Sequence, residues 1–468
     1  MPDRTPHRTT PQAGGRAPGA TLDAVTDFAL GLRYDQLPPA VVAKLKWLLL
    51  DGIAAMAMGG RRDEGRRLVD LAAAGGADGG PCTVVGSAHA ASFTEAALLN
   101  TALAQIQDCN DVRRIARRDG GSNHPGRCVV PVAVTVGEHA RLSGRELVEV
   151  LAVGYEVVSR VDTQILKHEH SSATGAMVGR ALGMGRAELR RAVALAHISF
   201  PARLQFAPLE DDYLVNGLIA SAAVDAARLS RVGTGVPASR YKAALGTPFP
   251  ETGASADAYA VASVSIKPYP CCRALHGAID LALEVRDEDG VRAEDVERIE
   301  VRVGNKRDQV FPPVPPDAPY KACQFSVPYV VACALLDGGV GEASFERARI
   351  AAPDVQAMQA KVEVVRDERL AYNPVGIAAF MRPTVVRVTT TDGRTIERST
   401  TSPRGSRFNP MSETELARKF VAWAGPSLGT RQADRTIRAV MELEDLDDVS
   451  TLIAGLRGHA DEPVAVGG

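Results

Sequence analysis

The sequence predicts a mostly α-helical protein with a smaller α+β domain, and three observations carry that prediction. From Thr21 to Arg231, apolar residues recur at helical spacing behind helix-start signals. Strand-like alternation is confined to the stretch between Val296 and Ser399. Capping signals and helical periodicity return at Ser412. The pattern reads as a discontinuous helical domain, 21–266 and 403–460, with an inserted α+β lid domain at 267–402. Residues 1–20 are rich in Pro, Gly, Thr and Arg, have no apolar segment, and read as a disordered tail.

In order along the chain, Thr21 is placed to cap a helix whose buried face is Leu22, Val25, Phe28, Ala29 and Leu32. Pro38-Pro39 opens a long helix through Val42, Leu45, Leu49, Ile53 and Met56 that stops at Gly59-Gly60. Cys82 to Val85 is a short extended piece. Capping-box pairs Ser92/Glu95 and Ser143/Glu146 start helices running to about Gln107 and Val161. Further helices cover about Ser172 to Leu182, Arg186 to His197 and Leu214 to Arg231, all rich in small residues that allow close packing. Strands are expected at Val296–Val303, Thr384–Val388 and Thr395–Ser399, the last two joined by a turn containing Asp392-Gly393. Between them lie helices at about Gln324–Leu336 and Asp354–Lys361. Ser412/Glu415 forms another capping box, and helices continue to about Leu456.

With 468 residues the chain is long enough for two cores. A formal net charge of -2 and 5% aromatic residues point away from nucleic acid and anionic membranes as partners. Apolar runs are all interrupted short of spanning length, so no membrane segment is expected. Seven cysteines occur without a C-x-x-C pair, which argues against zinc, iron–sulfur and redox motifs and for reduced thiols in the cytoplasm. His168-Glu169-His170 lacks a third ligand at diagnostic spacing, so no metal is expected. No glycine-rich nucleotide motif or Walker motif is present, so no cofactor is expected.

The most informative stretch runs from Ser265 to His276, SIKPYPCCRALH. Pro268 and Pro270 forbid a helix across Lys267 to Pro270, because each locks its own φ and pushes the preceding residue toward extended backbone. After Pro270, the spacing of Leu275, Ile279, Leu281 and Val285 is helical. Lys267 therefore precedes a rigid corner and His276 stands early in a helix, where positive partial charge favours a neutral imidazole. A cation beside a base suits removal of a proton next to a carboxylate. Lysines and histidines near corners are usually solvated or capping, and the residues alone favour that reading.

KPYPCCRALH resembles the K-P-Y-P-x-C-R-x-x-H signature of the MmgE/PrpD family, and the likeness extends from about Leu22 to about Leu443. That family includes 2-methylcitrate dehydratases, cis-aconitate decarboxylases and iminodisuccinate epimerases. The resemblance implies a helical body with an inserted domain, a site in the cleft between them, and a homodimer.

A second stretch is Gln107 to Val112, QDCNDV, followed by Ser122-Asn123-His124-Pro125-Gly126. Its glycines and Pro125 mark a loop, and an acid near a histidine can orient an imidazole. It is similar to the family's D-F-D-D-T and H-P pattern, which places an acid and a histidine in the active site. Asp108, Asp111 and His124 match by position, while Asn110 and Val112 depart from it. A larger departure is Gln205 to Asp212, where many relatives carry a T-K-x-L-H segment. The lysine is absent near Ala207, and Glu210, Asp211 and Asp212 follow. Arg203 is a candidate replacement charge for binding substrate. Arg113, Arg114, Arg117 and Arg118 read as a solvated basic face. Gln324 to Gly338 resembles the family's F-S-x-x-Y helix start, which makes Tyr329 a site candidate where periodicity alone reads it as core.

The expected function is a cofactor-independent lyase on a small carboxylate, most simply a dehydratase of the 2-methylcitrate type. His276 or His124 would be the base, Lys267 and Arg273 would hold the carboxylate, Asp111 would be a further substrate-binding residue, Asp108 would orient His124, and Tyr329 would donate to a leaving hydroxyl. Decarboxylation, epimerisation of a less acidic substrate, and a non-catalytic family scaffold are the alternatives.

Overall fold

The computed structural model describes residues 20–74, 80–114, 122–163, 168–199, 212–233, 236–241, 243–304, 312–370 and 383–458. Arg203, Glu210, Asp211, Arg117, Arg118 and most of the expected tail lie outside the described residues. The protein is mostly α-helical with a small mixed sheet.

Helix Pro39–Gly60 is central because it is apolar nearly all round: from Leu45 to Gly59 every residue is buried. Around it pack Phe93–Ile106, Gly126–Ala140, Gly144–Arg160 and Glu413–Leu428. The capping boxes at Ser143/Glu146 and Ser412/Glu415 form as their spacing requires, and the Ser92 hydroxyl accepts from Glu95 N. One hydrophobic core runs from Leu22 to Ile266 and includes Phe420, Trp423, Leu428, Val440, Ile453 and Leu456. A second core lies between Cys271 and Val388.

That second core backs a four-stranded sheet in the spatial order Thr395–Thr400, Thr384–Thr390, Val296–Val303, Val362–Arg366. The first three strands pair antiparallel, the last two parallel. Strand Val362–Arg366 was not among the expected strands. It follows helix Pro353–Gln359 after a short turn and has one buried residue, Val362, so its alternation is weak. In strand Val296–Val303, Ile299, Val301 and Val303 alternate inward, and a register shift between Val296 and Arg298 lets Val296 also face the core. The expected helix from Gln324 starts three residues later, as Val327–Asp337, and a separate short helix, Tyr320–Cys323, precedes it. The Ser326 hydroxyl caps Val327–Asp337, and Pro328 sits in its first turn. Among the described residues no helix is long and apolar enough to cross a membrane.

Candidate active site

Two chain segments remote in sequence are joined by backbone pairing. Val112 N donates to the Ser265 carbonyl at 3.0 Å, and Ser265 N returns a bond to the Val112 carbonyl at 2.8 Å. At the next residue, Ile266 N donates to the Gly405 carbonyl at 3.0 Å. Gly405 has φ 79°, and a Cβ there would lie 2.0 Å from the Ile266 carbonyl oxygen, so only glycine fits this crossing. The pairing carries Lys267 under the loop that ends helix Phe93–Ile106.

Lys267 is 0% exposed. Its Nζ donates to the Asp108 carbonyl at 2.6 Å and lies 3.2 Å from Asp108 Oδ2. Asp108 itself has φ 46°, a left-handed conformation that non-glycine residues adopt at a cost, of the kind concentrated at functional sites. The small domain grips the same loop from the other side. Lys321 Nζ donates to the Gln105 carbonyl at 3.4 Å and to the Ile106 carbonyl, and Gln324 Nε2 donates to the carbonyls of Gln107 at 2.8 Å and Pro270 at 2.9 Å. These donors occupy the orphan carbonyls at the helix end. Burial pulls the Lys321 amine down to about 8.

His124 Nδ1 lies 2.9 Å from the Asp111 carbonyl. A carbonyl only accepts, so Nδ1 carries the proton and Nε2 is the basic nitrogen. Burial, with the Arg127 and Lys267 charges, holds this imidazole well below its usual range. Asp111 is held from both sides: Gly126 N donates to Oδ1 at 2.8 Å, and the Tyr155 hydroxyl donates to Oδ2 at 2.6 Å. A Cβ on Gly126 would fall 2.6 Å from Asp111 Oδ2, which explains the glycine after Pro125. Burial raises the Asp111 carboxyl to about 6 against these two bonds.

His276 Nε2 lies 3.2 Å from the Cys271 carbonyl, so it bears the proton, and the buried Nδ1 has no partner among the described residues. Burial, with the Arg273 and Lys267 charges, holds this imidazole far down as well. Arg273 donates from one amino nitrogen to the Pro403 carbonyl at 3.0 Å, two residues before Gly405. The structure thus gathers Asp108, Asp111, His124, Lys267, Arg273 and His276 around the Val112–Ser265 bridge.

Tyr329 is not part of this group. It is fully buried in the second core against Phe345, and its hydroxyl donates to the Ser344 carbonyl. A hydroxyl already satisfied in a core is not offered to a leaving group, which corrects the expectation from the F-S-x-x-Y likeness. The solvated basic face also needs correction at Arg113, whose Nε donates to Ser263 Oγ at 3.0 Å and whose amino nitrogen reaches the Ser159 carbonyl. Burial lowers that guanidinium. Of the departures from the family pattern, Asn110 donates to the Ala104 carbonyl at 2.8 Å and Val112 serves the bridge through its backbone, so both help to shape the loop.

Sequence reasoning missed Tyr155, Arg127, Lys321 and Gln324. Tyr155 had a usable signal, since a tyrosine inside the apolar helix Gly144–Arg160 needs a partner for its hydroxyl. The others act across elements distant in sequence, and their residue types alone predict solvent exposure.

Residues 23–246 match the MmgE/PrpD N-terminal domain, and residues 269–445 match the MmgE/PrpD C-terminal domain. The chain belongs to the MmgE/PrpD family. Curated relatives of this MmgE/PrpD chain include the cis-aconitate decarboxylase of Homo sapiens, 27% identical over 80% of the chain and 81% of the relative. The Mus musculus protein of the same name is 27% identical over 78% of each. A cis-aconitate decarboxylase of Aspergillus terreus is 22% identical over 97% of this chain and 100% of its own length. The second match begins at Tyr269, inside the Lys267–Pro270 corner, where the backbone crosses from the first core to the second.

Proposed function

We propose that this chain is a cofactor-independent lyase whose first step removes a proton α to a carboxylate of a small acid. The chain is an enzyme of the lyase class by kinship with the named decarboxylases. The carrying observation is that two imidazoles near Lys267, His276 buried and His124 half-buried, each have one nitrogen's proton held by a backbone carbonyl and the other nitrogen left to accept. Neutral imidazole accepts a proton, which favours chemistry that begins with a base. His124 or His276 takes the α proton. The electron pair left on carbon delocalises into the carboxylate, and the Lys267 ammonium, with Arg273 beside it, offsets the charge that develops there. The pair then forms the new double bond as the β-hydroxyl departs, taking the abstracted proton from the imidazolium and leaving as water. The helical core built from both chain ends serves as the body, the α+β core as the lid, and a homodimer is the proposed assembly.

A second reading is decarboxylation, favoured by the names of the relatives. There a C–C bond breaks, carbon dioxide leaves, and a proton goes to carbon, so an imidazole must enter protonated. A substrate with several carboxylates supplies the negative charge that raises the imidazole's affinity for that proton.

Incubation with 2-methylcitrate and, separately, cis-aconitate in heavy water, followed by NMR and carbon dioxide detection, separates the readings. Water loss from the first acid supports dehydration, and carbon dioxide release from the second supports decarboxylation. Neither turnover nor deuterium incorporation with these acids or a wider carboxylate panel overturns the lyase assignment. H124A and K267A retaining wild-type turnover would overturn the site.

A further inference from the structure

Two arginines that tie elements of the helical core together are saturated. Arg160 pairs its Nε with Glu156 at 2.6 Å and spends its amino groups on Thr247, Pro248 and Ala258. Arg180 is taken up by Glu149 and by the carbonyls of Ala29 and Leu32. Such saturation is what a guanidinium in a poorly solvated place requires, because it keeps its charge and presents five donors.

Arg127 differs from both. It stands in the first turn of helix Gly126–Ala140, three residues after His124, and is 9% exposed. One amino nitrogen lies 3.4 Å from Asp212 Oδ2, the long end of a hydrogen bond. Asn216 Nδ2 also donates to that oxygen, at 3.2 Å. The Arg127 Nε is buried and has no partner among the described residues. The side edge of the guanidinium, Nε with its second amino group, is the edge that receives a planar carboxylate through two parallel bonds. It is near enough to His124 to act on that imidazole together with Lys267.

We propose that Arg127 receives one carboxylate of the substrate on this edge, with Asp212 holding the guanidinium from the other side. The inference rests on the carboxylate-lyase reading and adds to it. Lys267 neutralises the carboxylate next to the carbon that loses its proton, and Arg127 binds a further one, so the site selects acids with at least two carboxylates. Asp212, at the start of helix Asp212–Leu229, then sets the rotamer of a substrate-binding arginine and is not itself a repulsive wall toward anions.

The test is isothermal titration of the full-length wild type, R127Q, R127K and D212N with tricarballylate, a saturated tricarboxylate that binds without reacting. Thermal melting of each variant is measured alongside. R127Q is expected to bind about ten- to a hundredfold more weakly, the usual worth of hydrogen bonds to a charged group. R127K is expected to lie between, since it keeps the charge and loses the fork. D212N is expected to weaken binding less than R127Q does, since Arg127 keeps its charge and loses only its orienting partner. R127Q melting normally and binding within about twofold of wild type would overturn the proposal. So would R127Q and D212N both melting early with affinity unchanged, the signature of a purely structural ion pair. If R127Q does not fold, R127K decides, and wild-type affinity in it overturns the proposal. Tight tricarballylate binding that depends on Arg127, without turnover of any acid, sinks the lyase reading and leaves this one standing. Turnover with an unchanged KM in R127Q does the reverse, and no carboxylate binding by wild type removes both.

Discussion

Lys267 and Asp108, 159 residues apart, touch twice: the lysine Nζ donates to the aspartate's carbonyl at 2.6 Å and lies 3.2 Å from its carboxylate. One ammonium therefore holds both the backbone and the side chain of a residue in a left-handed conformation. In the proposed reaction the same ammonium is the group that meets the developing negative charge.

K267M is expected to abolish lyase turnover and to destabilise the fold. The methionine fills the space but leaves the Asp108 carboxylate buried without its cation, a loss of about 3–5 kcal/mol for a buried pair broken on one side. Thermal melting and NMR-monitored turnover check both. A K267M protein that melts like wild type would show that Asp108 gains its stability elsewhere.

The Asp111 carboxyl is raised by burial from its ordinary value of 3.8 to about 6. The folded state therefore binds more protons than the unfolded state between these values, and Asp111 withdraws stability as pH rises through that window. Over about two pH units the swing is about 3 kcal/mol. D111N lacks this swing, so its melting temperature relative to wild type should climb between pH 4 and pH 6 and then level off. A difference that is flat with pH would contradict the assignment. His124 and His276, held low by burial, should stay neutral down through pH 6.5, so an acid limb in turnover belongs below that value.

Two glycines at positive φ separate strain from crowding. Gly393, at φ 85° in the hairpin turn, has nothing within 4 Å of where an added Cβ would sit, whereas Gly405 at φ 79° has the Ile266 carbonyl oxygen at 2.0 Å. G393A should cost only the conformational penalty, about 1 kcal/mol. G405A adds a clash that pushes on Ile266 and Lys267, so a larger drop in melting temperature with loss of turnover is expected. Equal drops for the two would mean that the crossing at Gly405 does not position the lysine.

Asp51 and Lys419 join helix Pro39–Gly60 to helix Glu413–Leu428 through a buried ion pair, with the ammonium 4.0 Å from the centre of the Trp423 ring. Burial raises the Asp51 carboxyl, and Lys419 opposes that rise. K419M should destabilise by about 3–5 kcal/mol, while D51L/K419M should recover most of the loss, because the cost lies in the orphaned charge. Chemical denaturation of the single and double variants completes the cycle. A double variant as unstable as K419M would place the stability in the ammonium–ring contact.

Much of this molecule was legible along the chain. Capping boxes, proline corners and 3.6-residue periodicity act within a few residues of one another, so helices such as Pro39–Gly60 and Gly144–Arg160 could be read directly. The signature around Lys267 and His276 identified the family by residue order alone. Strand Val362–Arg366 was not legible, because its place comes from parallel pairing with strand Val296–Val303, where Val362 stands opposite Ile299. Tyr329 went astray for a related reason: its place in a motif is local, but the acceptor that takes its hydroxyl, Ser344, is supplied by a later turn. What the sequence by itself determined was the helical class, the inserted α+β segment and the residue types available for proton transfer. Which nitrogen of each histidine is basic, that the Arg127 Nε is buried without a partner among the described residues, and which lysine meets which aspartate were decided only by tertiary structure. Those properties depend on burial and on distances of about 3 Å that the folded backbone sets, whether between near neighbours such as His276 and Cys271 or between Lys267 and Asp108, 159 residues apart.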